Sequence, residues 1–203
     1  MPEQAAPILC LASASPRRRE LLAQIGVPHT VIVPDIDEAL LPGESPADYA
    51  VRLARSKAHS IRARGTPLPV LAADTIVVID GRICGKPAGA EEAIAMLLGL
   101  SGRSHAVLTA VALATHAGIA HRLSASEVTL RRLSRAECAA YWATGEPRDK
   151  AGGYAVQGRG AVFIERLSGS YSGVMGLPLY ETAQLLEAAG LPYWQNGCGG
   201  TPA

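Results

Sequence analysis

The sequence predicts an α/β fold, and three observations support that prediction. Short apolar runs, which are typical of buried strands, alternate along the chain with segments whose apolar residues have helical spacing. Ser-Pro dipeptides at 15–16 and 45–46 provide an N-cap and a first helical residue for two of these helices. An apolar run over residues 70–79 leads into an Asp-Gly dipeptide at 80–81, the preferred sequence for a two-residue hairpin turn.

The composition argues against several classes of protein. The chain has 203 residues, of which 48% are hydrophobic and 18% charged, so it can form a sizeable core and disorder is not expected. Its net charge of +1 and aromatic content of 4% argue against a nucleic-acid polymer as partner. Apolar runs are too short for a membrane span, and we expect no signal peptide. Because the four cysteines are scattered, we expect a reducing compartment, the cytoplasm.

The first predicted helix carries positive charge at an unusual place. Residues 8–12 are typical of a buried strand, and Ser15 is a good N-cap for the helix that follows. Arg17 and Arg18 therefore fall in the first turn, where the helix dipole is already positive. Free backbone N–H groups, guanidinium groups and the hydroxyls of Ser13 and Ser15 suit a phosphate. We predict phosphate binding here, and a solvated basic turn is the alternative.

Two polar features precede the longest strand. An acidic cluster at 35–38 follows a strand predicted over 29–34. Its carboxylates could bind a divalent cation, although this stretch alone favours a polar loop. The second helix, predicted from residue 46 to about 64, has an apolar stripe that includes Lys57. A lysine there either extends along the apolar surface or points its ammonium into a cleft.

Asp74 interrupts the longest apolar strand, where an unpaired carboxylate is costly to bury. It therefore needs a metal, a cation or a functional cleft. A regular hairpin would pair Val77 with Cys84 and Thr75 with Lys86. That register would bring the Lys86 ammonium beside Asp74. The alternative is a structural Asp–Lys pair that closes the hairpin.

The remaining elements follow from the same patterns. The predictions are helices over 90–98, 134–145 and 178–186, and strands over 106–115, 118–132 and 161–167. The polar, glycine-rich segment 146–160 is typical of a loop whose backbone approaches a ligand. The five histidines show no metal-ligand spacing, so we assign none of them to chemistry. Residues 195–203 form a polar tail that we expect to fray.

Six short motifs stand in a fixed order along the chain. They are Leu11-Ala12-Ser13-Ala14-Ser15-Pro16-Arg17-Arg18, Ala73-Asp74-Thr75, Gly85-Lys86-Pro87, Leu100-Ser101-Gly102-Arg103-Ser104-His105, Asp149-Lys150-Ala151-Gly152-Gly153-Tyr154 and Gly176-Leu177-Pro178. Their order and spacing resemble those of the Maf family of nucleoside triphosphate pyrophosphatases, over residues 8 to about 186. The stretch from Gln157 to Gly160 looks like the branch that acts on dTTP and UTP, although Gly153 is often alanine in that branch.

The resemblance implies an elongated α/β fold of the Maf/ITPase-like kind, with a mixed, strongly bent sheet and two lobes around a central cleft. We expect one domain over residues 1–190 and a flexible tail over 191–203. The resemblance also implies a cytoplasmic, usually dimeric enzyme that needs a divalent metal cation, Mg²⁺ or Mn²⁺. Such an enzyme hydrolyses a nucleoside triphosphate between its α- and β-phosphates, which yields the monophosphate and pyrophosphate.

The resemblance also suggests roles for single residues. Asp74 matches the proposed proton acceptor, and it could instead hold the metal, with Glu38 as the second carboxylate on the metal side. The residues expected to bind phosphate are Ser13, Arg17, Arg18, Lys57 and Lys86. The residues expected to bear on substrate choice are Arg17, Thr75 and Gln157. The Gln157 amide offers a donor and an acceptor, which suit the O4 and N3–H edge shared by thymine and uracil.

Two other functions compete with hydrolysis. The first is a nucleotide-binding regulator of septum formation without enzymatic activity, which would not need Asp74 as a base. The second is a phosphotransferase, which would want a Walker or kinase phosphate loop. Neither loop motif is present in the sequence.

Overall fold

The computed structural model describes residues 6–194. Within these residues, seven strands are formed by β1 (Leu9–Leu11), β2 (His29–Val31), β3 (Val70–Ile79), β4 (Arg82–Cys84), β5 (Ser104–Thr115), β6 (Gly118–Leu130) and β7 (Ile164–Ser168). The same residues contain six α-helices, α1 (Pro16–Gln24), α2 (Pro46–Arg62), α3 (Ala90–Leu100), α4 (Arg135–Ala143), α5 (Tyr171–Met175) and α6 (Leu179–Ala188). Short 3₁₀ turns occupy Glu146–Asp149, Ala151–Gly153 and Arg159–Phe163.

The strands form one mixed sheet in the order β2-β1-β3-β5-β6-β7, with β4 also paired to β3. β1 is parallel to β2 and β3, whereas the other neighbouring strands are antiparallel. The predicted α/β class with a mixed sheet is therefore confirmed. The strong bend of the sheet and its division into two lobes stay predictions.

One edge of β3 is interrupted at the centre of the sheet. β5 pairs with β3 over residues 70–78 and occupies one edge along almost its whole length. On the other edge, β1 pairs at residues 70–71 and β4 pairs at residues 77–79. In the described part of the chain, residues 72–76 therefore have no strand beside them on that edge. Asp74 lies in the middle of this gap.

The two faces of β3 pack against different helices. Ala72 and Ile76 lie in an apolar cluster with α2, whose own contribution includes the fully buried Ala54 and Ala58. The small side chains of Ala54, Ala58 and Ala72 let the helix lie close to the sheet. Successive side chains of a strand alternate between faces, so Asp74 points toward α2 as well. Thr75 points to the opposite face, which packs against α1, α5 and α6.

The hairpin between β3 and β4 was predicted in part. Val77 pairs with Cys84 as expected. The predicted pairing of Thr75 with Lys86 is wrong, because β4 ends at Cys84. The next carbonyl, that of Gly85, accepts a hydrogen bond at 3.0 Å from the Gly152 N–H instead. The chain therefore leaves the hairpin one residue before Lys86.

Two other predicted strands are shorter than expected. The strand predicted over 29–34 ends at Val31. The strand predicted over 161–167 begins only at Ile164, because Arg159–Phe163 form a 3₁₀ turn. The turn forms where the Glu146 carboxylate accepts hydrogen bonds from two backbone N–H groups at its start.

The end of the described chain packs on the core. Leu191 and Tyr193 contact the apolar cluster beneath α1 and α6, and the Trp194 N–H donates to the Ile25 carbonyl at 2.7 Å. Residues 195–203, where we predicted a fraying tail, lie outside the described residues. Among the helices of residues 6–194, none is both long and apolar enough to cross a membrane.

Candidate active site

A cavity of about 380 Å³ opens beside the interrupted edge of β3. That size falls in the range typical of small-molecule sites. It brings together eight of the nine residues that we predicted for the site, namely Ser13, Arg17, Arg18, Glu38, Lys57, Thr75, Lys86 and Gln157. The ninth, Asp74, is buried directly behind Lys57 and is hydrogen bonded to it.

The loop between β1 and α1 forms one wall of the cavity. The Ser13 hydroxyl accepts a hydrogen bond from the Ser15 N–H at 3.1 Å, which fixes the turn before the helix. Within the described chain, the Ser15 side chain makes no capping hydrogen bond, and Pro16 has no N–H to satisfy. The first-turn N–H groups of Arg17 and Arg18 therefore remain open to an anion.

Arg18 connects three walls of the cavity. Its Nε donates to the Gly176 carbonyl at 2.7 Å, and its two terminal nitrogens donate to Ser13 Oγ and Thr75 Oγ1, each at 3.3 Å. Burial lowers the pKa of the guanidinium, while the nearby Asp74 carboxylate opposes that shift. Arg18 therefore supplies positive charge to the cavity and also ties α1 to β3 and to the end of α5.

Lys57 points into the cleft, which is one of the two orientations that we expected from the sequence. Its Nζ lies 2.6 Å from Asp74 Oδ1 and 2.7 Å from Glu38 Oε1. Lys57 and Asp74 are buried, whereas about half of the Glu38 side chain is exposed, at 52%. The cation paired with Asp74 is thus Lys57 and not Lys86, which lines the cavity without an ion pair to Asp74 among the described residues.

The Glu38 and Asp74 carboxylates both face the Lys57 ammonium, which lies between them. Residues 6–194 contain no group of three or more His, Cys, Asp or Glu side chains that could hold a metal ion. Mg²⁺, however, is commonly bound by one or two carboxylates together with substrate phosphates. Glu38 and Asp74 therefore offer the type of oxygen donor that Mg²⁺ prefers, and a phosphorylated substrate would have to complete the coordination of the cation.

The family model described as Maf-like protein matches residues 8–189. The chain belongs to the Maf family. A dTTP/UTP pyrophosphatase of Saccharophagus degradans is 55% identical over 192 residues, which cover 93% of this chain and 91% of that protein. A second dTTP/UTP pyrophosphatase, from Alkalilimnicola ehrlichii, is 53% identical over 196 residues and covers 94% and 96% of the two chains.

Two solved structures are more distant neighbours of this Maf chain. A HAM1 protein from Coxiella burnetii has a TM-score of 0.42 at 25% identity, over 63% of this chain and 75% of that one. The Ham1 protein of Staphylococcus aureus has a TM-score of 0.46 at 14% identity, over 89% and 96%.

The site of this Maf chain includes residues to which the sequence analysis gave no role. Asp149, Lys150 and Tyr154 line the cavity, and Asp149 Oδ2 lies 3.9 Å from Arg17 Nη1. The Tyr154 hydroxyl is hydrogen bonded to Nε2 of the buried His105 at 2.7 Å. Asp149, Lys150, Tyr154 and His105 all belong to the motifs quoted above. The motifs therefore located these residues but did not indicate what they do.

Proposed function

We propose that this chain is a nucleoside triphosphate pyrophosphatase that hydrolyses dTTP and UTP to the monophosphate and pyrophosphate. The observation that carries the proposal is one cavity lined by the cationic side chains of Arg17, Arg18, Lys57 and Lys86, in which Lys57 is paired with the buried Asp74. A triphosphate requires such positive charge, and hydrolysis requires a base. The names of the Maf relatives at 53–55% identity support the same activity.

The phosphate end of the substrate binds at the β1–α1 loop. The N–H groups of Arg17 and Arg18 and the Ser13 hydroxyl donate to phosphate oxygens. The side chains of Arg17, Arg18 and Lys86 add fixed positive charge, which stabilises the charge that develops as the phosphate bond breaks. Because Arg18 is already held by three hydrogen bonds, its guanidinium needs little rearrangement to do so.

Asp74 acts as the base. It accepts a proton from a water molecule that attacks the α-phosphorus, and the bond to the oxygen bridging the α- and β-phosphates breaks, so pyrophosphate leaves. Lys57 holds Asp74 through Oδ1, which leaves Oδ2 to receive the proton. In the alternative role for Asp74, it and Glu38 would hold Mg²⁺ or Mn²⁺, which would supply further positive charge to the phosphate oxygens.

The nucleobase end binds near Gln157, which lines the cavity. The Gln157 amide pairs with the O4 and N3–H edge of thymine or uracil, and cytosine presents the opposite pattern of donor and acceptor. Arg17 and Thr75 shape the same cavity and contribute to substrate choice. The structure restrains Thr75, because its hydroxyl accepts a hydrogen bond from Arg18 and is also hydrogen bonded to the Thr109 hydroxyl.

We further propose that the enzyme acts in the cytoplasm as a homodimer, with a single domain of two lobes that extends beyond the predicted residue 190 to include Leu191 and Tyr193, which pack on the core. The free thiols of Cys10, Cys84 and Cys138 are consistent with a reducing compartment. Sedimentation velocity on the full chain tests the dimer. A single species of monomer mass at micromolar concentration would rule it out.

A panel of nucleoside triphosphates assayed with Mg²⁺ and with Mn²⁺ tests the activity. We expect dTTP and UTP to be hydrolysed much faster than CTP or purine triphosphates, with the monophosphate as product. Comparable rates with GTP would contradict the proposed specificity. A diphosphate and inorganic phosphate as products would contradict the proposed reaction.

A further inference from the structure

The chain around Gln157 is fixed at its C-terminal side by Glu146. The Glu146 carboxylate accepts hydrogen bonds from the Arg159 N–H at 2.9 Å and the Gly160 N–H at 3.0 Å. It also accepts one from the Tyr141 hydroxyl at 2.6 Å. Three donors thus meet one carboxylate, and the two backbone donors among them hold the start of the 3₁₀ turn in place just after Gln157.

The same segment is fixed at its N-terminal side by Tyr141. The buried Tyr141 hydroxyl, which donates to Glu146, accepts a hydrogen bond at 3.1 Å from the Ala155 N–H, two residues before Gln157. The ring is held by an edge-to-face contact with Phe163, with centroids 5.1 Å apart. The Glu146–Tyr141 pair therefore binds the backbone on both sides of Gln157.

The glycines around Arg159 are explained by this pair. A Cβ atom on Gly158 would lie 2.4 Å from Glu146 Oε2, and one on Gly160 would lie 2.6 Å from the Tyr141 hydroxyl oxygen. Neither position can carry a side chain while the carboxylate and the hydroxyl stay where they are. The Gly-Arg-Gly sequence after Gln157 thus lets the pair reach the backbone.

The protonation states agree with this arrangement. Burial and the hydrogen bond to Glu146 raise the pKa of Tyr141, so the phenol keeps its proton. Burial alone would raise the pKa of Glu146, but the hydrogen bonds from Tyr141, Arg159 and Gly160 outweigh it and lower the pKa. Glu146 therefore remains a carboxylate that can accept all three hydrogen bonds.

We propose that Glu146 and Tyr141 are positioning residues for recognition of the pyrimidine base, because they hold the Gln157 amide toward it. Gln157 is among the described residues that line the cavity, and neither Glu146 nor Tyr141 is. The pair therefore acts through Gln157 and not by contact with the substrate. The inference rests on the proposed function, in which Gln157 distinguishes uracil and thymine from cytosine.

The test compares kcat/KM for UTP with kcat/KM for CTP, two substrates that differ at the base edge and share the triphosphate. The variants are Glu146→Gln, Tyr141→Phe and Gln157→Ala. A glutamine at 146 offers one acceptor oxygen to three donors, so the segment loosens. We expect the UTP-to-CTP ratio to fall about tenfold in the first two variants, the change that corresponds to about one net hydrogen bond.

Three controls separate positioning from general damage. The melting temperature by circular dichroism shows whether each variant folds, and Tyr141→Phe, which removes only one oxygen, carries the test if Glu146→Gln does not fold. Inhibition by inorganic tripolyphosphate should be unchanged, because the phosphate-binding residues are untouched. Tyr193→Phe removes the donor of the Tyr193–Glu187 hydrogen bond, a similar Tyr–Glu contact away from the cavity, and should leave the ratio unchanged.

A double variant completes the test. If the pair acts through Gln157, Glu146→Gln combined with Gln157→Ala should show the same ratio as Gln157→Ala alone. An unchanged ratio in both Glu146→Gln and Tyr141→Phe, with a reduced ratio in Gln157→Ala, would overturn the inference and leave the proposed function intact. An unchanged ratio in Gln157→Ala would overturn base recognition by Gln157 and this inference with it.

Discussion

The Lys57 ammonium lies between two carboxylates, 2.6 Å from Asp74 Oδ1 and 2.7 Å from Glu38 Oε1. Asp74 comes from the interrupted edge of β3 and Lys57 from the helix packed on that face of the sheet. A buried carboxylate without a partner would be costly, so each of the two groups makes the burial of the other possible. Under the proposed mechanism, the same pair also holds the catalytic base in place.

Lys57→Met removes this charge and keeps a side chain of similar length. Because Asp74 loses its partner and the cavity loses a cation, we expect kcat/KM for UTP to fall by about 100-fold or more. Arg55→Met, on an exposed turn of the same helix, is the matched control. It should change kcat/KM by less than about twofold, as surface substitutions usually do. Similar losses in both variants would show that α2 tolerates no substitution, and not that Lys57 has a specific role.

Arg18→Lys tests whether the guanidinium shape matters beyond its charge. A lysine cannot reach Gly176, Ser13 and Thr75 together, so acceptors around the cavity lose their donors. We expect the free energy of unfolding in urea to fall by about 1–3 kcal/mol. Arg19→Lys, at the exposed neighbouring position, should be nearly neutral. Equal stability of the two variants would contradict a connecting role for Arg18.

Gly152→Ala tests the contact between the loop before Gln157 and the sheet. Gly152 has φ of +70°, and a Cβ there would lie 3.0 Å from Val77 Cγ2. Gly43→Ala is the control, because Gly43 has φ of +75° with nothing within 4 Å of its Cβ position. Both should lose about 1 kcal/mol for the left-handed backbone. Gly152→Ala should lose at least about 1 kcal/mol more, from overpacking against Val77. Equal losses in thermal or urea unfolding would contradict this contact.

His105 makes stability depend on pH. Burial lowers the pKa of His105 from its ordinary value of 6.5 to about 4, so the folded protein keeps the imidazole neutral. Between those two values the unfolded chain binds the proton and the folded chain does not. The stabilisation is therefore complete above about pH 6.5 and is lost as pH falls toward 4, by up to about 3 kcal/mol.

Urea unfolding at pH 7 and pH 4.5 measures this effect. Carboxylates also titrate in that range, so the difference between wild type and His105→Gln isolates the contribution of the histidine. The wild type should lose more stability on acidification than the variant does. The same loss in both proteins would show that His105 is not held neutral by the fold.

Much of the site could be predicted from side-chain types, but its pairings could not. Lys57 was recognisable because a charged residue interrupted an apolar helical stripe, and Asp74 because it interrupted an apolar strand. Asp74 pairs with Lys57 and not with Lys86 because of the way α2 packs across β3. The local register of the β3–β4 hairpin gives no information about that packing. The Gly85 carbonyl accepts a hydrogen bond from the N–H of Gly152, a residue 67 positions later in the chain, and the chain leaves the hairpin at this point.

The loop that carries Gln157 shows a second reason why parts of the site could not be predicted from the sequence. Its glycines indicated close approach of the backbone, and the resemblance singled out Gln157. The hydrogen bonds that fix the loop, however, run from backbone N–H groups to Glu146 and Tyr141. Any residue except proline offers such an N–H, so the sequence carried no pattern for this contact. The same bonds produced a 3₁₀ turn where apolar residues had indicated a strand.

Release of pyrophosphate from UTP by the wild type and by Asp74→Asn tests the central claim most directly. The asparagine keeps the shape of the side chain but cannot take the proton. We expect the wild type to produce UMP and pyrophosphate in equal amounts, and the variant to be slower by about 100-fold or more. Equal rates in the two proteins, or equal inactivity with every nucleotide and metal tried, would contradict catalysis by Asp74 and favour a nucleotide-binding regulator.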